Sequence, residues 1–202
     1  MSRKKIFYIA FFTALVLGFY LTLTYAIPGF SKPKKNPIST VKAFRFINQD
    51  GDYVTEKQMQ GKVTVANFFF TTCTTVCPRM NNNLKPVYDE FKNEPDFLIL
   101  SHTSDPERDS AATLKKYADS LNVDTHKWMF VTGRKDSLYS MARHSYTIDD
   151  PKNYVKGTED LFLHTQFIAL VNKKGEVVDV YDGLRTSELN EMKTEIKKLL
   201  KE

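Results

Sequence analysis

The stretch Val63 to Met80, VTVANFFFTTCTTVCPRM, constrains the fold more than any other, because its character changes twice within a few residues. Val63, Val65, Phe68, Phe69 and Phe70 form a mostly apolar, β-favouring run that fits a strand covered on both faces. A turn carrying Cys73 and Cys77 follows, and Pro78, a residue favoured at the first helical position, predicts a helix starting there. Strand, turn and helix thus place both sulfurs at or just before a helix N-terminus. The exposed N–H groups and dipole at such a place favour negative charge, so these thiols ionise more readily than free cysteine. Thiolates bind soft metals and exchange disulfides.

The remaining segments alternate in the same way. Ala43 to Ile47, the turn residues Asn48 to Gly51, and Tyr53 with Val54 predict a β-hairpin, after which Thr55 caps a short helix ending at Gly61. Leu84, Val87, Tyr88 and Phe91 recur at helical spacing, with Pro86 expected to kink or split the helix. Phe97 to Leu100 is a second apolar strand leading into Ser101-His102-Thr103-Ser104-Asp105-Pro106, and Asp109 or Ser110 starts the next helix. Trp128 to Val131 reads as a strand, and Leu138, Met141 and Ala142 as a helix. Ser145 to Asp160 is polar and too long for a simple connector, which suggests a functional loop. Phe167 to Val171 and Val177 to Tyr181 form a hairpin, and a last helix over about Ser187 to Leu200 aligns Leu189, Met192, Ile196 and Leu199. The pattern implies an α/β sheet covered on both faces. Reactive groups in such folds gather beyond the carboxyl ends of strands, and Cys73, Cys77, His102 and Asp105 all follow strands in that sense.

Charge and hydropathy divide the chain. Residues 1–5 are a basic N-terminus, and residues 6–27 hold no charged side chain and as a helix would rise about 33 Å, enough to span a bilayer. The apolar core of a cleaved signal peptide usually runs only about 7 to 15 residues, so this segment is read as a single transmembrane anchor. Residues 28–39, with three lysines and three prolines, read as a linker, and residues 40–202 as one domain. Six of the 29 basic residues precede Thr40, where no acidic residue occurs; from Thr40 onward 23 basic residues face 24 acidic ones. The basic excess belongs to the flanks of the anchor, which excludes nucleic acid as a partner. Because three basic residues and the amino terminus precede the first apolar residue, the domain is placed outside the cytoplasm of a bacterial cell, with the anchor in its cytoplasmic membrane.

Two cysteines alone exclude a disulfide scaffold. Four residues apart, their Cα atoms would lie about 6 Å from each other in a helical segment, within disulfide range. The same pair can hold one soft metal ion, and an added imidazole completes a set suited to copper in both oxidation states. A pair of packed core cysteines is the competing reading, but the threonines and the proline around them suit an exposed turn better. Of the four histidines, His126 reads as a surface residue and His144 as a partly buried structural one. His102 ends a strand on the expected active edge, His164 joins the long polar loop to a strand, and residue chemistry does not choose between them.

Asn67-Phe68-Phe69-Phe70-Thr71-Thr72-Cys73-Thr74-Thr75-Val76-Cys77-Pro78 resembles the signature of the Sco/SenC family. The likeness continues in Ser104-Asp105-Pro106-Glu107-Arg108-Asp109, in Trp128 to Gly133 and in His164 before an apolar strand, covering about Ala43 to Leu200. The resemblance implies a thioredoxin-like fold with copper held by Cys73, Cys77 and His164. It also implies a role in assembling the dinuclear copper centre of cytochrome c oxidase, as metallochaperone or as thiol reductant, with the copper-bearing oxidase subunit as partner. Asp105 matches the family's acidic position beside the site. Two residues depart from the pattern: Leu163 stands where an aspartate is common, and His102 where an apolar residue is usual, which makes His102 an alternative ligand. A general extracytoplasmic thiol-disulfide oxidoreductase, or a redox or copper sensor, is the rival reading. The oxidoreductase would need only Cys73 and Cys77.

Overall fold

The computed structural model describes residues 2–26, 36–149 and 165–202. The linker between residues 27 and 35, the polar loop from residue 150 onward and His164 lie outside the described residues. Two units are present, divided between residues 36 and 37. The first is helix α1, Arg3–Ala26, whose stretch Arg3–Leu23 is long and apolar enough to cross a membrane and has no buried residue.

The second unit is a thioredoxin-like α/β domain built on one sheet. In chain order its strands are β1 (Ser39–Thr40), β2 (Arg45–Asn48), β3 (Tyr53–Thr55), β4 (Val63–Phe69), β5 (Phe97–Thr103), β6 (Trp128–Thr132), β7 (Phe167–Val171) and β8 (Glu176–Asp182). Across the sheet the order is β1-β8-β7-β4-β5-β6-β2-β3. β4, β5 and β6 are parallel, while β7 runs antiparallel to β4 and pairs with β8 as a hairpin. The N-terminal hairpin β2–β3 adds to the far side of β6. Ile38 and Ser39, read from composition as the end of the linker, are already in the sheet: the Ile38 N–H donates to the Val177 carbonyl at 2.8 Å, and Ser39 pairs with Val177.

Strand periodicity sorts the side chains into two cores. Val63, Val65 and Phe69 of β4, with Phe97 and Ile99 of β5, face one side, where they pack against helices α2 (Val76–Phe91), α3 (Ala111–Leu121) and α5 (Thr186–Leu199). Ala66 and Phe68, with Leu98 and Leu100, face the other side and meet Phe44, Phe46, Met59, Leu138 and Tyr146. A side-chain period of two makes this partition automatic, and burial on both faces explains why β4 reads as an unbroken apolar run.

Helix α2 begins at Val76, two residues before the predicted start, so that Pro78 falls inside the first turn, where a missing N–H costs nothing. The helix is not split at Pro86 but runs unbroken from Val76 to Phe91. The ring sits on the exposed side while Leu84, Val87, Tyr88 and Phe91 are buried against the sheet, and that packing holds the helix together through the lost bond. Ser110 caps α3 by accepting from the Thr113 N–H at 3.3 Å, and Asn122 in the left-handed region ends it. Helix α4 (Lys135–Ser140) runs into a π turn over Met141–Ser145; Met141, Ala142 and Ser145 take the buried positions, which leaves His144 exposed rather than partly buried.

The strap between β1 and β2 fixes the curvature of the sheet. The two strands stand six places apart in the sheet order, which would be about 29 Å in a flat sheet. Thr40 and Arg45 are joined by chain that reaches about 19 Å at most, at about 3.8 Å per Cα step. The sheet therefore curls until its two sides approach. Phe44 of the strap is buried in the second core, and the Lys42 N–H donates to Ser145 Oγ at 3.2 Å.

Candidate functional site

The carboxyl ends of β4 and β5 and the first residues of β7 share one end of the sheet, because β7 is antiparallel to β4. There they border a cleft of about 260 Å³, lined by Phe70, Thr72 to Cys77, Ser104, Thr165 and Gln166 among others. The cysteine loop leaves β4 at Phe70, and the Cys73 N–H donates back to the Phe70 carbonyl at 3.2 Å. Cys77 lies in the first turn of α2, and its N–H donates to Cys73 Sγ at 3.3 Å. Both cysteines are free thiols; Cys73 is half-buried, and Cys77 is 6% exposed at the floor of the cleft.

The two sulfurs differ electrostatically. For Cys73, burial is the largest single influence and pushes the thiol up. Hydrogen bonds from the Cys77 N–H, the Cys77 thiol and the N–H groups of Thr75 and Val76 together outweigh it, and hold its pKa below the ordinary thiol value. Cys77 is pushed up to about 12, first by burial and then by the hydrogen bond and charge of Cys73. At neutral pH one sulfur is poised to ionise and the other keeps its proton.

Of the other residues singled out in the sequence, His102 is not brought to the sulfurs. It shares the register of Leu98 and Leu100, so its ring enters the second core while Cys77 belongs to the first. It stacks on Phe68 with ring centroids 4.8 Å apart, and meets Phe44, Phe46 and Tyr146 edge-on. Nδ1 lies 3.4 Å from the Asn67 carbonyl and Nε2 3.4 Å from the Tyr146 hydroxyl, the pattern of a neutral imidazole that donates once and accepts once. Complete burial pushes its pKa down to about 4. Asp105 is buried beside the cleft residue Ser104, but its carboxylate turns to Arg108 at 3.1 Å. His126 is on the surface, as read from its polar neighbours. Among the described residues no cluster of three or more histidine, cysteine or acidic side chains is arranged to hold a metal.

Sequence reasoning passed over Asp109, reading it only as a helix start. Its carboxylate is fully buried and accepts from the Thr71 N–H at 3.1 Å, the Thr71 hydroxyl at 2.5 Å and the Thr103 hydroxyl at 2.6 Å. An acidic residue just before an N-cap serine looks like ordinary helix-start chemistry, and only the fold shows that it reaches back to the cysteine loop.

Gln166 is tied in by the Gly183 N–H, which donates to its carbonyl at 2.9 Å, and by its own side-chain amide, which donates to Asp182 at 2.8 Å. Gly183 leaves no room for a side chain, since a Cβ there would lie 2.8 Å from atoms of Ile168 and Met80.

A thioredoxin-like domain with a CxxxC thiol pair at the mouth of its first crossover helix defines a class of extended thiol proteins. The family model described as SCO1/SenC matches residues 32–201, and the chain belongs to that family. It is 32% identical over 168 residues to the SCO1 protein homolog of Bacillus subtilis, covering 81% of this chain and 84% of that one. Among solved structures, it resembles BsSco, described as a member of the Sco family of cytochrome c oxidase assembly proteins with a disulfide switch. That likeness has a TM-score of 0.69 and 29% identity, over 84% of this chain and 98% of that one. It also resembles Arabidopsis thaliana ScoI, solved with copper bound, with a TM-score of 0.62 and 27% identity over 79% of this chain and 99% of that one.

Proposed function

We propose that this protein is a membrane-anchored copper carrier that assists assembly of the dinuclear copper centre of cytochrome c oxidase, with Cys73, Cys77 and His164 as the ligands of its cargo. The observation that carries this reading is the cleft itself: both thiols border it, and so does Thr165, the residue next in sequence to His164. Two soft sulfur donors bordering the cleft, joined by the imidazole of His164, would make a donor set suited to copper. Neutral His102 lies on the opposite face of the sheet and is spoken for by its own contacts, which favours His164 over it. Relatives add weight, since Arabidopsis ScoI holds copper and BsSco is a cytochrome c oxidase assembly protein. We place the domain on the extracytoplasmic side of a bacterial cytoplasmic membrane, anchored by α1. Digestion of the domain by protease added to spheroplasts checks that placement, and its protection would refute it.

The unequal thiols favour a second use of the same pair. The Cys73 thiolate attacks a disulfide of the copper-bearing oxidase subunit to give a mixed disulfide. Cys77 then displaces the target sulfur, giving up its proton as it attacks, so that the target leaves as a dithiol that has gained two electrons and the donor pair is left oxidised as a Cys73–Cys77 disulfide. The separating experiment is a copper titration of the reduced full-length chain in detergent, beside its turnover as a disulfide reductase. One tightly bound copper with negligible turnover supports the carrier; rapid turnover with weak copper supports a general thiol oxidoreductase. His164→Ala should weaken copper binding while leaving thiol redox behaviour intact, and unchanged affinity would remove His164 from the ligand set.

A further inference from the structure

We propose that Asp109 is a positioning residue for the thiol pair, its carboxylate stapling the start of the cysteine loop to the end of β5 so that the Cys73 sulfur is held against the Cys77 N–H. The inference rests on the reading of Cys73 and Cys77 as the working pair. Asp109 has no exposed surface, and no cation pairs with it among the described residues. A carboxylate removed from water in this way is costly unless its lone pairs are filled. Two threonines fill them. One carboxylate oxygen accepts from both the Thr71 N–H and the Thr103 hydroxyl, and the other accepts from the Thr71 hydroxyl.

The placement of those threonines gives the staple its effect. Thr103 is the last residue of β5, within the rigid sheet, while Thr71 is the second residue beyond β4 and two before Cys73. Asp109 is itself anchored, since its N–H donates to the Asp105 carbonyl at 2.9 Å and Ser110 caps α3 directly after it. With Thr71 pinned at both its N–H and its hydroxyl, and the Cys73 N–H tied to the Phe70 carbonyl, little freedom remains in the segment that aims the Cys73 sulfur. Orientation of this kind raises the effective concentration of one reacting group at another.

The test is the equilibrium of the full-length chain, in detergent, against glutathione: protein dithiol plus oxidised glutathione gives the Cys73–Cys77 disulfide plus two reduced glutathiones. Asp109→Ala should lower this equilibrium constant about tenfold or more at temperatures well below its melting transition. Asp109→Asn should stay within about threefold of the parent chain, because its amide oxygen can accept the two bonds of one carboxylate oxygen while its NH₂ donates to a rotated Thr71 hydroxyl. Thr71→Val, which removes only the hydroxyl bond, should shift the constant in the same direction by less, and serves if Asp109→Ala does not fold. A residue that merely supports the fold would lower the melting temperature and leave the equilibrium constant in place, and that result for Asp109→Ala or Thr71→Val overturns the proposal. An Asn variant as impaired as the Ala variant overturns it too, by making charge rather than hydrogen bonding the cause. Failure of the parent chain to form the disulfide at all would instead refute the reading of the thiol pair.

Discussion

At the scale of residues, the division of labour between the two thiols governs what a reagent meets. Cys73 is half-buried with a lowered pKa, while Cys77 is buried and pushed up to about 12. Iodoacetamide at pH 7.5 should therefore label Cys73 about tenfold faster or more, because the thiolate is the nucleophile; peptide mass spectrometry over a time course reads the ratio, and equal rates would contradict it. His102 has the opposite character, a group kept neutral by its surroundings. Its folded pKa of about 4 lies below the ordinary histidine value, so between roughly pH 6.5 and pH 4 the unfolded chain takes up a proton that the folded chain refuses. Stability should fall as pH drops through that window, by about 3 kcal/mol in all, and His102→Phe should flatten this part of the profile in urea melts at pH 7 and pH 4.5. The thiol pair and its helix-start setting were legible from spacing and from Pro78. The place of His102 was not, because it needs the parity of β5 relative to a core that sequence alone does not locate, and Asp109 was missed because its partners are 38 and 6 residues away.

At the scale of elements, the strands and helices follow from periodicity, and the departures come from packing. Helix α2 continues past Pro86 because the tertiary face outweighs a local breaker, and at its early start the Thr75, Val76 and Cys77 N–H groups turn to the Cys73 sulfur. The close approach of β8 and α2 at Gly183 left no signal beyond an isolated glycine. Gly183→Ala should cost about 1 to 3 kcal/mol, the range for forced overpacking, since its Cβ would meet Met80, Ile168 and the Gln166 carbonyl together. Chemical denaturation checks the loss. Because Gln166 lines the cleft, the same variant should also alter copper affinity, whereas an alanine at Gly175, a positive-φ turn position away from the cleft, should affect stability alone.

At the scale of the whole molecule, the apolar helix α1 and the domain are separate units, and Ser39 and Thr40 already pair with β8. A chain starting at Pro37 should keep a cooperative melt, while one starting at Arg45 should lose several degrees or more through loss of β1 and of buried Phe44; circular dichroism on the two shortened chains decides it. The strap from Val41 to Phe44 adds a mechanical consequence. It works as a bowstring, drawing the two limbs of the sheet toward each other, and the bow it bends carries the cysteine cleft on its end. Splicing a few glycines into the string would slacken it without touching any contact at the thiols, so the gape of the cleft should answer to a change made far from it along the chain.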